Sequence, residues 1–346
     1  MKKSKRCAFI FSALVLAVIL LPGFHAQAAS QGKNIELRLA HMFPVGAPAH
    51  QHMERWAEKI AADSNGRLKI RIFPSNTLIT APEMYDGVVK GAADIGFAWR
   101  YKPKAYTVGV LFPFLLSAPD TVTAGKVYDD IWKQFPELMA EEWKDVKILW
   151  LEPSMPVYLF SSKPLHSIED MKGQQIRVPS RELADLMKQL GATPAYMSAA
   201  DFIIGLDKGT VDGACGLFAI IPDFKLGGKI KYVLMLSLGV STPVMVIMNK
   251  DSYNRLPADL QRVLDESGEW GRKDSIEYWS KLYKDCIKYC NANGIELIYP
   301  PREQRANLMS IIERSRDKVG EDLDTKGYPG TEIVQFIRER VKRYAR

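Results

Sequence analysis

Cysteine is scarce in this chain, with Cys7, Cys215, Cys286 and Cys290 the only four in 346 residues. Three of them lie beyond the N-terminal segment, an odd number in a long chain, so no disulfide framework is expected to hold the fold. Cys286 and Cys290 are one helical turn apart and read as core thiols; the alternative, a bridge or a metal pair, finds no further ligands in the sequence. Histidine is almost as rare. His50 and His52 sit two apart on a helical stretch and so face different directions, which argues against a metal pair. No GxSxG, HExxH or GxxxxGK[ST] pattern occurs, and no serine has an identifiable histidine and aspartate partnership. Enzyme chemistry therefore has no starting point, and neither a metal nor a cofactor is expected.

Long apolar runs are also missing after residue 28. The one such run, Ala8 to Leu21, follows Lys2, Lys3, Lys5 and Arg6 and ends in Pro22-Gly23 before the small-residue site Ala26-Gln27-Ala28. That is the pattern of a secretory signal peptide over residues 1–28, with an uncleaved membrane anchor as the alternative that the shortness of the run disfavours. Cys7 precedes the run and is no lipid-attachment site. Removing this segment's four basic residues brings the excess of Lys and Arg over Asp and Glu from seven to three. Without charge of one sign, nucleic-acid binding loses its compositional support. An exported protein of two domains is expected, since single cores stop growing near ~250 to 300 residues.

What is present is a repeating α/β rhythm. "IELRLAH", "LKIRIF" and "AADIGFA" alternate as strands around the helical "HQHMERWAEKIAADSNG" and "PEMYDGVVKG". The rhythm returns in "VYLFSS", "SIEDMKG", "QQIRV", "RELADLMKQLG", "TPAYM", "AADFIIGLDKG" and "TVDGAC", and Ser167 to Asp170 has the spacing of a helix start. Glu83, Gly87, Lys90, Gly91 and Asp94 recur as Asp201, Gly205, Lys208, Gly209 and Asp212 at a constant offset of 118. Common helix-stop chemistry accounts for part of this match, yet it favours two similar α/β domains. After the strand "VSTPVMVIMNK" the longest helical pattern runs from Pro257 to Asn293, about 50 Å at ~1.5 Å per residue, enough to lie beside both.

In "DMKGQQIRVPS" an arginine stands between two apolar strand residues. With Ile176 and Val178 facing a core, Arg177 points to the opposite side, toward the crevice where ligands of open α/β sheets bind. Its guanidinium fork suits a carboxylate; a solvated head or a structural ion pair is the equal alternative from position alone.

The export signal, the two α/β domains, "LHSIEDMKGQQIRVPS", "LGATPAYMSAADFIIGLDKGTVDGA" and the long helix together resemble the extracytoplasmic solute receptors of TRAP transporters, the DctP type. The resemblance spans essentially the whole mature chain. It implies two periplasmic lobes, each a mixed sheet flanked by helices, joined by crossing hinge strands and a long spanning helix. Lobe I would hold residues 31–154 plus about 243–275, lobe II residues 155–242 plus about 295–346, with the helix over about 257–293. It also implies a monomeric receptor without catalysis that closes over a small organic anion and delivers it to a membrane permease. A signalling protein in the permease's place is the alternative partner. In that family the arginine of the "IR" motif pairs with the ligand carboxylate, and Arg177 matches it, with Ser180 beside the motif.

Departures from the family pattern shift the expected ligand. Gly216 stands where sialic-acid-type receptors carry a carboxylate-binding asparagine, "MPVYLF" lacks their second arginine near Val157, and Trp99 replaces an acidic residue. Trp99, Tyr101, Tyr158, Tyr196 and Phe218, with Met42 after the first strand, then line the crevice, although some of the aromatics belong to the core instead. Arg100 and Lys102 are candidates for a second anionic group or solvated surface charges. A monocarboxylate with an apolar or aromatic body, such as an aromatic or indole-type 2-oxo acid, is expected. A sugar acid or a C4-dicarboxylate is the alternative.

Overall fold

The computed structural model describes residues 34–98, 118–179, 181–239 and 244–345. The chain opens as β1 (Ile35–Ala40), α1 (Pro48–Asp63), β2 (Leu68–Phe73), α2 (Met84–Val89) and β3 (Ile95–Ala98). Helix α1 starts on a proline, buries Met53, Trp56 and Ile60 on one face, and stops where Asn65 and Gly66 turn left-handed. Next come α3 (Thr121–Gln134), capped by the Asp120 carboxylate accepting from Thr123 N at 2.7 Å, then α4 (Pro136–Glu142) and β4 (Val146–Glu152).

Across Pro153 to Pro156 the chain passes to a second sheet. There it forms β5 (Val157–Ser161), β6 (Gln175–Val178), α5 (Arg181–Gln189), β7 (Thr193–Tyr196), α6 (Ala199–Lys208), β8 (Gly213–Leu217), α7 (Ile220–Asp223) and β9 (Tyr232–Leu234). The segment expected to form a short helix before β6 is a single 3-10 turn, Glu169–Met171, because Gly173 turns left-handed just after it. Strand β10 (Val244–Asn249) returns to the first sheet and is followed by α8 (Lys250–Asn254), the long α9 (Ala258–Ala292), β11 (Glu296–Ile298), α10 (Arg302–Asp324) and α11 (Gly330–Tyr344).

The two sheets have the orders β2-β1-β3-β10-β4 and β11-β9-β5-β8-β6-β7. Each is parallel except for one strand, β10 or β5, that runs against its neighbours. The first half of α9 packs on α1 and β4, and its later part reaches α7 and β11. Trp56, Phe97 and Trp150 thereby share one core with Trp279 and Cys286 of α9 and with Phe160 of β5, Phe202 of α6 and Phe218 just after β8. The closing helices, grouped by sequence with lobe II, divide between the layers. Leu308 and Ile312 of α10 pack with Leu183 and Leu186, whereas Ile333, Val334 and Ile337 of α11 pack with Val127 and Ile131 of α3. Both helices are amphipathic, and a periodic pattern states which face is buried but not against what.

The repeat at offset 118 has a physical basis. Asp94 accepts from Arg38 N at 2.8 Å and Asp212 from Gln175 N at 2.8 Å, each carboxylate bonding an amide of the neighbouring parallel strand just before its own strand begins. Their own amides return the bond, to Arg38 O within β1 at 3.0 Å and to Gln175 O at the start of β6 at 2.8 Å. The registers then superimpose: Leu39 pairs with Ile95 as Ile176 pairs with Gly213, and Ala40 with Gly96 as Arg177 with Ala214. Arg177 therefore occupies the place held by Ala40 in the first sheet.

Burial works against ionising Asp94, yet bonds from Arg38 and from Ser252 Oγ, 2.7 Å away, hold its carboxyl below the usual range. Its contribution is present above pH ~3.9 and is lost as pH falls through the lower folded value. Asp94→Asn is expected to cost about 1 to 3 kcal/mol at pH 7. In urea unfolding the gap to wild type should narrow toward pH 3; a gap of constant size would contradict this.

Candidate functional site

Strand β6 buries both faces. Ile176 and Val178 join a core with Leu186, Met187 and Ile312, while Arg177 lies on the other side and is only 6% exposed. Its strand partners on either side are Ala195 and Ala214, small residues that leave room for a long side chain across the sheet. Arg177 Nε donates to the carbonyl of Met197 at 3.0 Å, which fixes the plane of the guanidinium. A Cβ at Gly216 would sit 3.4 Å from Arg177 Nη1 and 3.0 Å from Ile220 Cδ1. The glycine thus leaves space beside the fork, and the bond to Met197 fixes the plane in which the planar cation lies.

Aromatic rings stand next to this point. Tyr158 lies opposite Gly216 in the β5–β8 ladder, with its ring 5.3 Å from Phe218 and 6.2 Å from Tyr283 of α9. Burial, then a bond to Tyr283, raises the Tyr158 hydroxyl far above its ordinary value, so it stays protonated. Tyr158 and Phe218 are both buried and belong to the shared core, as expected for some of the aromatics. Tyr196 differs: it ends β7 and is 63% exposed. Met42 lies half-buried beyond the end of β1, on the other sheet. The remaining candidates, Trp99, Arg100, Tyr101, Lys102 and Ser180, lie outside the described residues. Cys215 packs away from solvent, where burial pushes its thiol up to about 12 although the charge of Arg177 opposes this.

Three contributors escaped the sequence reading. The Met197 carbonyl is a backbone group, for which side-chain chemistry gives no signal, and Ile220 and Tyr283 arrive from elements whose placement only the fold decides. The histidines do face apart. His50 bonds His41 at 3.0 Å, and burial followed by the charge of His50 pushes His41 down to about 4, whereas His52 turns toward α9. Among the described residues no group of three or more His, Cys, Asp or Glu side chains is placed to hold a metal ion, and no helix is long and apolar enough to cross a membrane.

Comparison with known proteins matches the family described as bacterial extracellular solute-binding protein, family 7, DctP, to residues 39–322. The 2,3-diketo-L-gulonate-binding periplasmic protein YiaO of Escherichia coli is 25% identical over 335 residues, covering 94% of this chain and 98% of that protein. A TRAP periplasmic solute binding protein from Desulfovibrio salexigens is similar in structure, with a TM-score of 0.74 and 25% identity over 90% of this chain and 97% of the other. A marine metagenome TRAP solute binding protein specific for aromatic acid ligands, solved with 3-hydroxybenzoate, gives a TM-score of 0.80 at 23% identity over 91% and 100%. With the family match spanning most of the described fold, the chain belongs to the DctP family of extracytoplasmic solute-binding proteins of TRAP transporters, whose members are receptors and not enzymes.

Proposed function

We propose that this receptor captures a small monocarboxylate with an apolar or aromatic body and passes it to a TRAP permease in the membrane. The observation that carries the reading is the setting of Arg177: a buried guanidinium oriented by the Met197 carbonyl, with Gly216 beside it and Tyr158, opposite Gly216 in the ladder, grouped with the Phe218 and Tyr283 rings. A carboxylate is the ligand group that a guanidinium fork matches with two parallel bonds. Without a side chain at Gly216 the neighbourhood is rich in ring surface, the Tyr158 and Tyr283 hydroxyls being bonded to each other, and such surface favours a flat apolar body. The fold is also one in which a relative holds 3-hydroxybenzoate.

In this reading residues 1–28 direct export and are removed, and the mature protein works as a monomer in the periplasm. The chain leaves the first sheet after Glu152 and re-enters it at Val244. Closure is a hinge motion about the two passages between the lobes that ligand contacts with both lobes drive.

A thermal-shift screen tests the ligand class. At a hundredfold excess over the dissociation constant a bound ligand contributes about 2.7 kcal/mol. Benzoate-type acids, indole acids and aromatic 2-oxo acids are expected to raise Tm by several degrees. A screen in which only polyhydroxylated acids or C4-dicarboxylates stabilise the protein would refute the reading.

A further inference from the structure

Where β4 leaves the first sheet, four ionisable side chains meet that the ligand site does not use. His52 of α1 is fully buried, with Nδ1 2.6 Å from Asp274 Oδ2 on α9 and Nε2 3.4 Å from Glu152 Oε2. Glu152 is the last residue of β4 and also fully buried. It accepts from the indole of Trp150 at 3.0 Å and from that of Trp279 at 3.1 Å. Arg55, one turn along α1, donates to Asp274 through Nη2 at 2.6 Å and Nε at 3.3 Å. The ring of Tyr278 stacks on the imidazole at 6.0 Å between centroids. The charged or titratable groups facing His52 are thus Arg55 from α1, Glu152 from β4, and Asp274 and Tyr278 from α9.

The geometry selects a protonation state. A carboxylate oxygen faces each imidazole nitrogen, bonded at Nδ1 and at ion-pair distance from Nε2, and both contacts are attractive only when both nitrogens carry hydrogen, that is, as the imidazolium. Two cations then balance two anions. After proton loss one carboxylate faces a lone pair, and an uncompensated buried negative charge remains, which is costly.

Location gives this set a consequence. Glu152 pairs with Val244, the first residue of β10, so the set sits where the chain leaves and re-enters the first sheet. Asp274 lies near the middle of α9, the helix that also reaches the second sheet through α7 and β11.

We propose that His52 is a proton-operated latch that ties α1 and the spanning helix α9 to the hinge end of β4, so that losing its proton loosens the hinge. Burial opposes the charge, but the bond to Asp274 and the nearby carboxylate of Glu152 outweigh it and raise His52 above its ordinary value. A raised value means that the stabilisation is complete below pH ~6.5 and disappears as pH rises through the folded value. The latch rests on the closing-receptor reading only for its effect on lobe motion.

Nitrogen-15 NMR of the ligand-free protein tests the charge. Both His52 nitrogens should carry hydrogen at pH 7, with a titration midpoint above 6.5; a neutral ring at pH 7 overturns the proposal. Spin labels at Lys69→Cys and Lys188→Cys, which the three buried native thiols do not perturb, then report the distance between the sheets. The distance distribution should broaden between pH 6.5 and 9.5 with the midpoint seen by NMR, and His52→Gln should give the broad distribution throughout. A distribution indifferent to pH overturns the latch, and the wild-type comparison stands even if the variant fails to fold. A failure of the receptor reading would look different, as an absence of compaction with any carboxylate at pH 6.5.

Discussion

Replacing Arg177 by alanine is expected to weaken ligand capture several hundredfold or more. Removing one partner of a buried charge pair costs about 3 to 5 kcal/mol, because the other charge stays desolvated without its counterion. The loss should not come from unfolding. The equivalent position in the first sheet is Ala40, and Arg177 itself stands between Ala195 and Ala214. Alanine therefore suits this strand register. Arg177→Lys should fall between the two, since it keeps the charge but gives up both the fork and the Nε bond to the Met197 carbonyl. Titration calorimetry with the acid that gives the largest thermal shift checks the order; near-unchanged affinity in the alanine variant would remove Arg177 from the site.

A large effect on stability is expected at Gly268. Helix α9 crosses β4 so closely that a methyl at this position would fall well inside van der Waals contact with the Leu149 carbonyl oxygen, and one at Gly271 would meet the Trp150 ring at 3.1 Å. A ring has some freedom to turn, but a strand carbonyl has almost none. Overpacking of a core costs about 1 to 3 kcal/mol, and contact with backbone belongs at the top of that range or above it. Alanine's better helix propensity returns about 1 kcal/mol. Gly268→Ala should therefore lose about 2 kcal/mol or more, read as a Tm lower by several degrees. Gly228→Ala, where an added methyl meets nothing within 4 Å, is the control. Equal melting temperatures for the two variants would mean that α9 is not seated on β4 as described. Because α9 also carries Asp274 and Tyr283, lifting it should disturb both the His52 set and the ring beside Tyr158.

Much of the architecture was legible because it rests on local rules. Alternation in "LKIRIF" and "QQIRV", helix stops at Gly66 and Gly209, and the long apolar periodicity of α9 all act within a few residues of themselves. The pair Asp94 and Asp212 was visible as a repeat, although its cause, a carboxylate bonding an amide of the next parallel strand, needed the sheet. Alternation also told which way Arg177 points.

It could not tell that the face it points to is covered. Strands inside a sheet with helices on both sides look the same whether a side chain lies open or is closed over, so the pattern did not separate Tyr158 and Phe218, which are buried, from Tyr196, which is exposed. The His52 set was hidden for another reason. His52 and Asp274 are separated by 222 positions, and only the docking of α9 on α1 brings them together.

The most direct test of the central claim is a crystal structure of the protein purified with the ligand it acquires during expression. A small acid should lie beside Gly216 with both carboxylate oxygens within hydrogen-bond reach of the Arg177 guanidinium and its body against the Tyr158 and Phe218 rings. A bound molecule whose acid group lies away from Arg177 would contradict the account.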